Sequence, residues 1–194
     1  MWRAIKLVIC IDLDNTLNNL QEVAVGVFNE RYNTHYTLKD FKTYSISECL
    51  NKEEATNMKA IYNEAGIYNL VSPLSGARNV LQKLKKAGHE IYIVTHTMSN
   101  MFQEKVDWIK YHFDIDESHI IAMRHKWLFK CDLMIEDNMD NLLGGHHYDR
   151  ICFDYPWNRQ AKHVGDLYDQ IYDIHRVSHW NEVINIINKI SNKE

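Results

Sequence analysis

The sequence predicts an α/β protein: a mostly parallel sheet flanked by helices, with a small helical segment inserted after the first strand. Three observations carry this prediction. Short apolar runs alternate with amphipathic stretches, the pattern of a sheet covered on both faces. The runs are near-continuous rather than alternating, as strands buried on both sides are. A long stretch after the first run holds no strand-like segment at all. At 194 residues the chain has room for one such core and an insertion. Apolar residues at 45% and charged residues at 25% exclude wholesale disorder, a collagen-like fibre and a disulfide miniprotein.

The first strand is predicted at 6–12 (KLVICID), an apolar run ending in a carboxylate. Residues 90–95 (EIYIVT), 119–123 (HIIAM), 132–136 (DLMIE) and 150–153 (RICF) follow, with a weaker strand near 173–177. Between them, 77–87 carries Val80, Leu81 and Leu84 on one side, and Gly88 stands where a helix C-terminal glycine belongs. Residues 98–113 and 179–190 read as two further helices. From Asn18 to Leu74 the clearest segments are helical, at 21–32 and 52–65, and Pro73 and Gly76 punctuate the return. The organisation read from this is a core of 1–17 and 75–194 with a helical insertion at 18–74.

Other features narrow the class. The 26 acidic against 22 basic residues argue against a polynucleotide-tracking protein, which needs a basic face, but leave a small phosphorylated substrate open. No run approaches a membrane span or a signal-peptide core. Cys10, Cys49, Cys131 and Cys152 are scattered, as reduced thiols of a cytoplasmic protein are. His146-His147 with Asp149 lacks the spacing of a helical metal pair. Lys83, Lys85 and Lys86 read as a solvated helix face. Trp2, Trp108, Trp127, Trp157 and Trp180 read as core anchors.

The chemistry is concentrated at strand ends. Asp12-Leu13-Asp14-Asn15-Thr16 puts two carboxylates at the end of a buried strand, where they are costly unless a cation compensates them. Ligands of open α/β sheets bind at such ends, and a hard dication such as Mg²⁺ suits the pair. Turn chemistry is the plainer reading of Asp-x-Asp-Asn alone. The later strands shift the balance: one ends in Thr95-His96-Thr97, Lys126 follows the third, and another ends in Glu136-Asp137.

With those four motifs in that order, the sequence resembles the haloacid dehalogenase superfamily of phosphohydrolases, from residue 6 to about 190. More narrowly it is similar to the 5'(3')-deoxyribonucleotidase branch. The supporting features are the early helical insertion, Ser72-Pro73-Leu74-Ser75-Gly76-Ala77, Ile91-Tyr92-Ile93-Val94-Thr95 and His179-Trp180-Asn181-Glu182-Val183. The resemblance implies a Rossmann-like core with a cap formed by 18–74. It makes Asp12 the nucleophile, giving an aspartyl-phosphate that water hydrolyses. Asp14 becomes the acid and base, its backbone carbonyl on the metal. Thr95, His96 and Lys126 hold the phosphoryl group, and Asp12, Asp14, Glu136 and Asp137 form a Mg²⁺ site.

The pattern is departed from at Asn15, where the branch often has Gly, at His96, where it often has Ser, and at Glu136, where Asp is usual. Lys130 rivals Lys126 for the motif lysine. The implied substrate is a (deoxy)nucleoside monophosphate, closed over by cap aromatics drawn from Phe28, Tyr32, Tyr36, Phe41, Tyr44, Tyr62 and Tyr68, most of which are expected to form the cap's own core. Leu20 stands where the branch often places an aromatic ring. A sugar phosphate or another small metabolite is the alternative substrate, and a catalytically silent phospho-ligand-binding domain the alternative class. A homodimer is allowed; no nucleic acid polymer or membrane partner is expected.

Overall fold

The computed structural model describes residues 5–159 and 172–191. The apolar run after Lys6 forms β1, Val8–Ile11, whose Ile9, Cys10 and Ile11 are wholly buried. β2 (Glu90–Thr95), β3 (Ile120–Ala122), β4 (Leu133–Glu136), β5 (Asp149–Phe153) and β6 (Ile174–Val177) complete a six-stranded sheet of order β3-β2-β1-β4-β5-β6. Every neighbouring pair is parallel. All six predicted strands are present, in a Rossmann-like arrangement. β1 and β3 are shorter than the sequence suggests: Lys6 and the ends of the third run lie outside the ladder.

The chain leaves β1 toward β2 on one side and later builds β4 on the other, so a topological switch lies between β1 and β4. The register pairs Ile11 with Ile93 and with Ile135. Asp12 N–H then donates to the Ile135 carbonyl at 2.9 Å. Asp12 is thereby carried to the crevice beside Thr95 and Glu136.

Seven helices are present among the described residues: α1 (Leu20–Tyr32), α2 (Ile46–Cys49), α3 (Lys52–Tyr62), α4 (Ala77–Ala87), α5 (Phe102–His112), α6 (Met139–Leu143) and α7 (Trp180–Ser191). α2 and α6 escape a periodicity reading because four or five residues complete barely one turn. α4 buries Val80, Leu81 and Leu84, and Gly88, at φ +89°, closes it in the left-handed conformation the sequence implied. α3 starts with a reciprocal cap: Asn51 accepts from Glu54 N–H at 3.0 Å, and Glu54 accepts from Asn51 N–H at 3.2 Å.

Within 18–74, α1 and α3 pack together, and a bidentate pair joins Arg31 of α1 to Glu64, just past the end of α3. The two ends of the segment run side by side. Asn18 bridges Pro73, Leu74 N–H donates to Leu17 O at 2.8 Å, and Ser72 N–H donates to the Asn19 side chain at 2.8 Å. The four cysteines are free thiols. Trp108 and Trp180 are buried anchors, Trp127 is half-buried, and Trp2 lies outside the described residues. His146 and His147 are exposed.

Candidate active site

The strand ends converge on four charged side chains that are almost completely buried: Asp12, Lys126, Glu136 and Asp137. Lys126 Nζ bonds the Asp12 carboxylate and, at 2.7 Å, Glu136. Lys130 is exposed, so of the two rivals it is Lys126 that reaches Asp12. The second oxygen of Glu136 accepts from the Asp137 and Asn138 N–H groups, both at 3.2 Å, and Asn141 donates to the first at 3.0 Å. The longer arm of Glu136 therefore bridges the lysine to the turn that follows β4.

Asp12, Glu136 and Asp137 each place a carboxylate oxygen within 4.8 Å of the others. Burial and the neighbouring acids push the Asp12 carboxyl well above its usual range. Burial and Asp12 push Asp137 up to about 7. Lys126 neutralises only part of this crowd. An all-oxygen set of three acids facing one point fits a hard divalent cation, which would relieve the repulsion.

Asp14 sits in a different environment. Its carboxylate accepts from Lys105 Nζ at 2.7 Å, Tyr68 Oη at 2.5 Å and Asn18 Nδ2 at 3.0 Å. Burial alone would raise it, but Lys105 and these hydrogen bonds outweigh burial and hold it below the ordinary carboxylate range. Its side chain is turned away from the acidic triple, leaving only its main-chain carbonyl for a metal role.

Thr95 accepts from Lys105 at 3.0 Å, and Lys105 also donates to the His96 carbonyl at 2.7 Å. The His96 ring stands exposed at the rim; partial burial, with Lys105, Arg124 and Lys126 nearby, lowers its pKa. Asn15 has φ +60°. Its left-handed backbone explains why this position takes Asn here and Gly elsewhere.

Two site residues were not found from the sequence. Lys105 falls within the predicted 98–113 helix with nothing to single it out, yet α5 turns it inward onto Asp14. Trp157, expected as a core anchor, is buried but lines the cleft, and its indole N–H donates to Asp137 at 2.9 Å. Asn158 holds the Asp137 carbonyl at 2.9 Å. The Pro156–Asn158 turn therefore supports Asp137, and the Leu38–Asp40 turn of the inserted segment packs on it. Pro-Trp-Asn after a strand was the only signal available.

A cavity of about 310 Å³ opens from these groups toward 18–74. Leu20, Gln21, Phe41, Tyr44, Ile46 and Tyr62 form that side, with His96, Thr97 and Met98 opposite. Of the seven predicted aromatics, Phe41, Tyr44 and Tyr62 line the cavity, and Tyr68 reaches Asp14 from behind. Phe28 is core, its ring in tilted contact with those of Tyr32 and Tyr36.

This fold is the one shared by hydrolases of the haloacid dehalogenase class. A haloacid dehalogenase-family hydrolase from Deinococcus radiodurans, solved with bound phosphate and sodium, superposes with a TM-score of 0.64 at 15% identity, covering 96% of each chain. A haloacid dehalogenase-like hydrolase from Streptococcus pneumoniae gives 0.62 at 16%, covering 93% of this chain and 98% of that one.

Residues 6–193 match the family described as 5' nucleotidase, deoxy (pyrimidine), cytosolic type C. The chain belongs to that family. It is 32% identical over 133 residues to the 5'(3')-deoxyribonucleotidase of Clostridium acetobutylicum, spanning 68% of this chain and 73% of the relative. It is 25% identical over 181 residues to that of Bacillus subtilis, spanning 92% and 96%. Among the described residues no helix is long and apolar enough to cross a membrane.

Proposed function

We propose that the chain is a Mg²⁺-dependent phosphomonoesterase that dephosphorylates (deoxy)nucleoside monophosphates, with 18–74 acting as the cap over the substrate. The observation that carries this is the Lys126 bridge between Asp12 and Glu136, beside Asp137, at the floor of a cavity with an apolar upper wall. The family membership and the names of the relatives support the nucleotide.

Asp12 is the nucleophile: its carboxylate attacks phosphorus, and the phosphorus–ester oxygen bond breaks. Lys126 draws the phosphoryl oxygens toward Asp12, with Thr95 and the nearby His96 on the other side. Asp14 gives its proton to the departing oxygen, then takes one from the water that hydrolyses the aspartyl-phosphate. Lys105 keeps Asp14 ionised while the site is free, which suits the second role. An arriving phosphate dianion adds negative charge beside Asp14 and raises its pKa, which suits the first. Asp12, Glu136, Asp137 and the Asp14 carbonyl would hold Mg²⁺. When bound, the ion supplies charge neutralisation for the phosphoryl oxygens.

Phosphate release from p-nitrophenyl phosphate, measured with Mg²⁺ and with EDTA, tests the chemistry. The expected result is release that EDTA stops and Asp12→Asn abolishes. Equal release by Asp12→Asn and wild type would refute it.

A further inference from the structure

Gln21 is one of the polar groups, with Thr43, Asn63 and the Tyr44 and Tyr62 hydroxyls, that 18–74 brings to the cavity wall. It is 9% exposed and lines the cavity, with Leu20, Phe41 and Ile46 nearby. None of those side chains offers a hydrogen-bond acceptor. Its Oε1 accepts from the Tyr62 hydroxyl, which sets the orientation of the amide. Among the described residues no protein group accepts from its Nε2. Gln21 lines the cavity with its oxygen already engaged, so its amide N–H groups are the part left free to meet an acceptor on a ligand.

The position of Gln21 limits what that acceptor is. Its main-chain N–H donates to the Asn15 side chain at 2.8 Å, and Asn15 follows Asp14, the residue that faces the departing ester oxygen. The Tyr62 hydroxyl that bonds the amide is near enough to Asp14 and Asp137 for their charges to raise its pKa, so the amide lies on the phosphate side of the cavity rather than at its far end. In a nucleoside 5'-phosphate the ester oxygen is followed by three sugar carbons and then the 3'-hydroxyl. In a 3'-phosphate it is followed by the same three carbons in reverse and then the 5'-hydroxyl.

Resting on the nucleotidase reading, we infer that Gln21, oriented by Tyr62, is a specificity-determining residue that donates to the free hydroxyl of the sugar, three carbons from the phosphate ester. One donor meets the hydroxyl of either isomer. That accounts for how a single pocket accepts both the 5' and the 3' ester, the pair of activities in the names of the Clostridium and Bacillus relatives.

The test compares kcat/KM for 2'-deoxyuridine 5'-monophosphate and its 2',3'-dideoxy analogue, which lacks only the hydroxyl in question. Wild type is expected to favour the hydroxyl-bearing substrate by about 10- to 100-fold. Gln21→Met should bring the ratio within about twofold. Gln21→Ala removes the amide altogether and leaves neither donor nor acceptor for the sugar hydroxyl, so it should collapse the ratio too. It also serves if the Met variant does not fold, as judged by thermal melting. A wild-type ratio near one, or a ratio that survives in a folded variant of either kind, overturns the assignment of Gln21. Wild type that turns over p-nitrophenyl phosphate but neither nucleotide overturns the nucleotide reading, and this inference with it.

Discussion

At the strand ends, Asp12, Lys126, Glu136 and Asp137 are at most 6% exposed, and each is held by a hydrogen bond or ion pair from another element. Across the cavity, the wall built by 18–74 offers mostly carbon, and its Tyr44 is 56% exposed. The floor must hold charges in one geometry, which takes a network of partners. Apart from Gln21, the wall needs mainly a surface of suitable width and character, so many side chains serve. Substitutions in the floor should therefore damage chemistry and folding together, whereas those in the wall should change binding by modest factors.

After loss of the nucleophile itself, Lys105→Met is expected to show the largest effect. It strips Asp14 of its cation and leaves a half-buried carboxylate held by Tyr68 and Asn18 alone. A kcat/KM loss of about 100-fold and a stability loss of about 3 kcal/mol in urea unfolding are expected. Unchanged values in both would show that floor charges tolerate loss as the wall does. Trp157→Phe keeps the ring but removes the donor to Asp137. Titration calorimetry should show divalent-ion affinity falling about tenfold.

The Asp137 carboxyl gives the floor a pH signature. With its pKa raised from 3.8 to about 7, the metal-free folded state holds a proton there that the unfolded chain has released. This contribution is fully present below about pH 4 and is lost as pH rises to about 7. In EDTA, the Tm of Asp137→Asn should gain on that of wild type across this window, by a few degrees. A difference that does not vary with pH would contradict this. Tyr44→Ala, a wall change, should raise KM for a deoxynucleotide about fivefold while kcat moves less than twofold. A large kcat loss would blur the division.

The same division decides what could be read from the sequence. Floor residues sit at the ends of buried strands, where Asp12, Thr95 and Glu136-Asp137 stand out against apolar runs, so both the strand order and the motifs are visible. Lys126 is favoured over Lys130 by its spacing to the acidic pair, and the structure agrees: Lys126 reaches Asp12 while Lys130 is exposed. Lys105 was hidden because a lysine on a helix is ordinarily solvated, and its inward turn depends on how α5 docks. Trp157 was hidden because burial in a core and burial beneath a cleft give a tryptophan the same sequence context. In the wall, helical spacing does not separate Phe28, which is core, from Phe41, which lines the cavity.

The most direct test of the central claim is phosphate release from a panel of deoxynucleoside monophosphates and ribose 5-phosphate, each with Mg²⁺ and with EDTA. The account predicts EDTA-sensitive release that favours the deoxynucleotides over the sugar phosphate by at least about tenfold in kcat/KM, as an apolar wall bound to a base would give. Equal rates on both classes, or release that EDTA leaves intact, would contradict it.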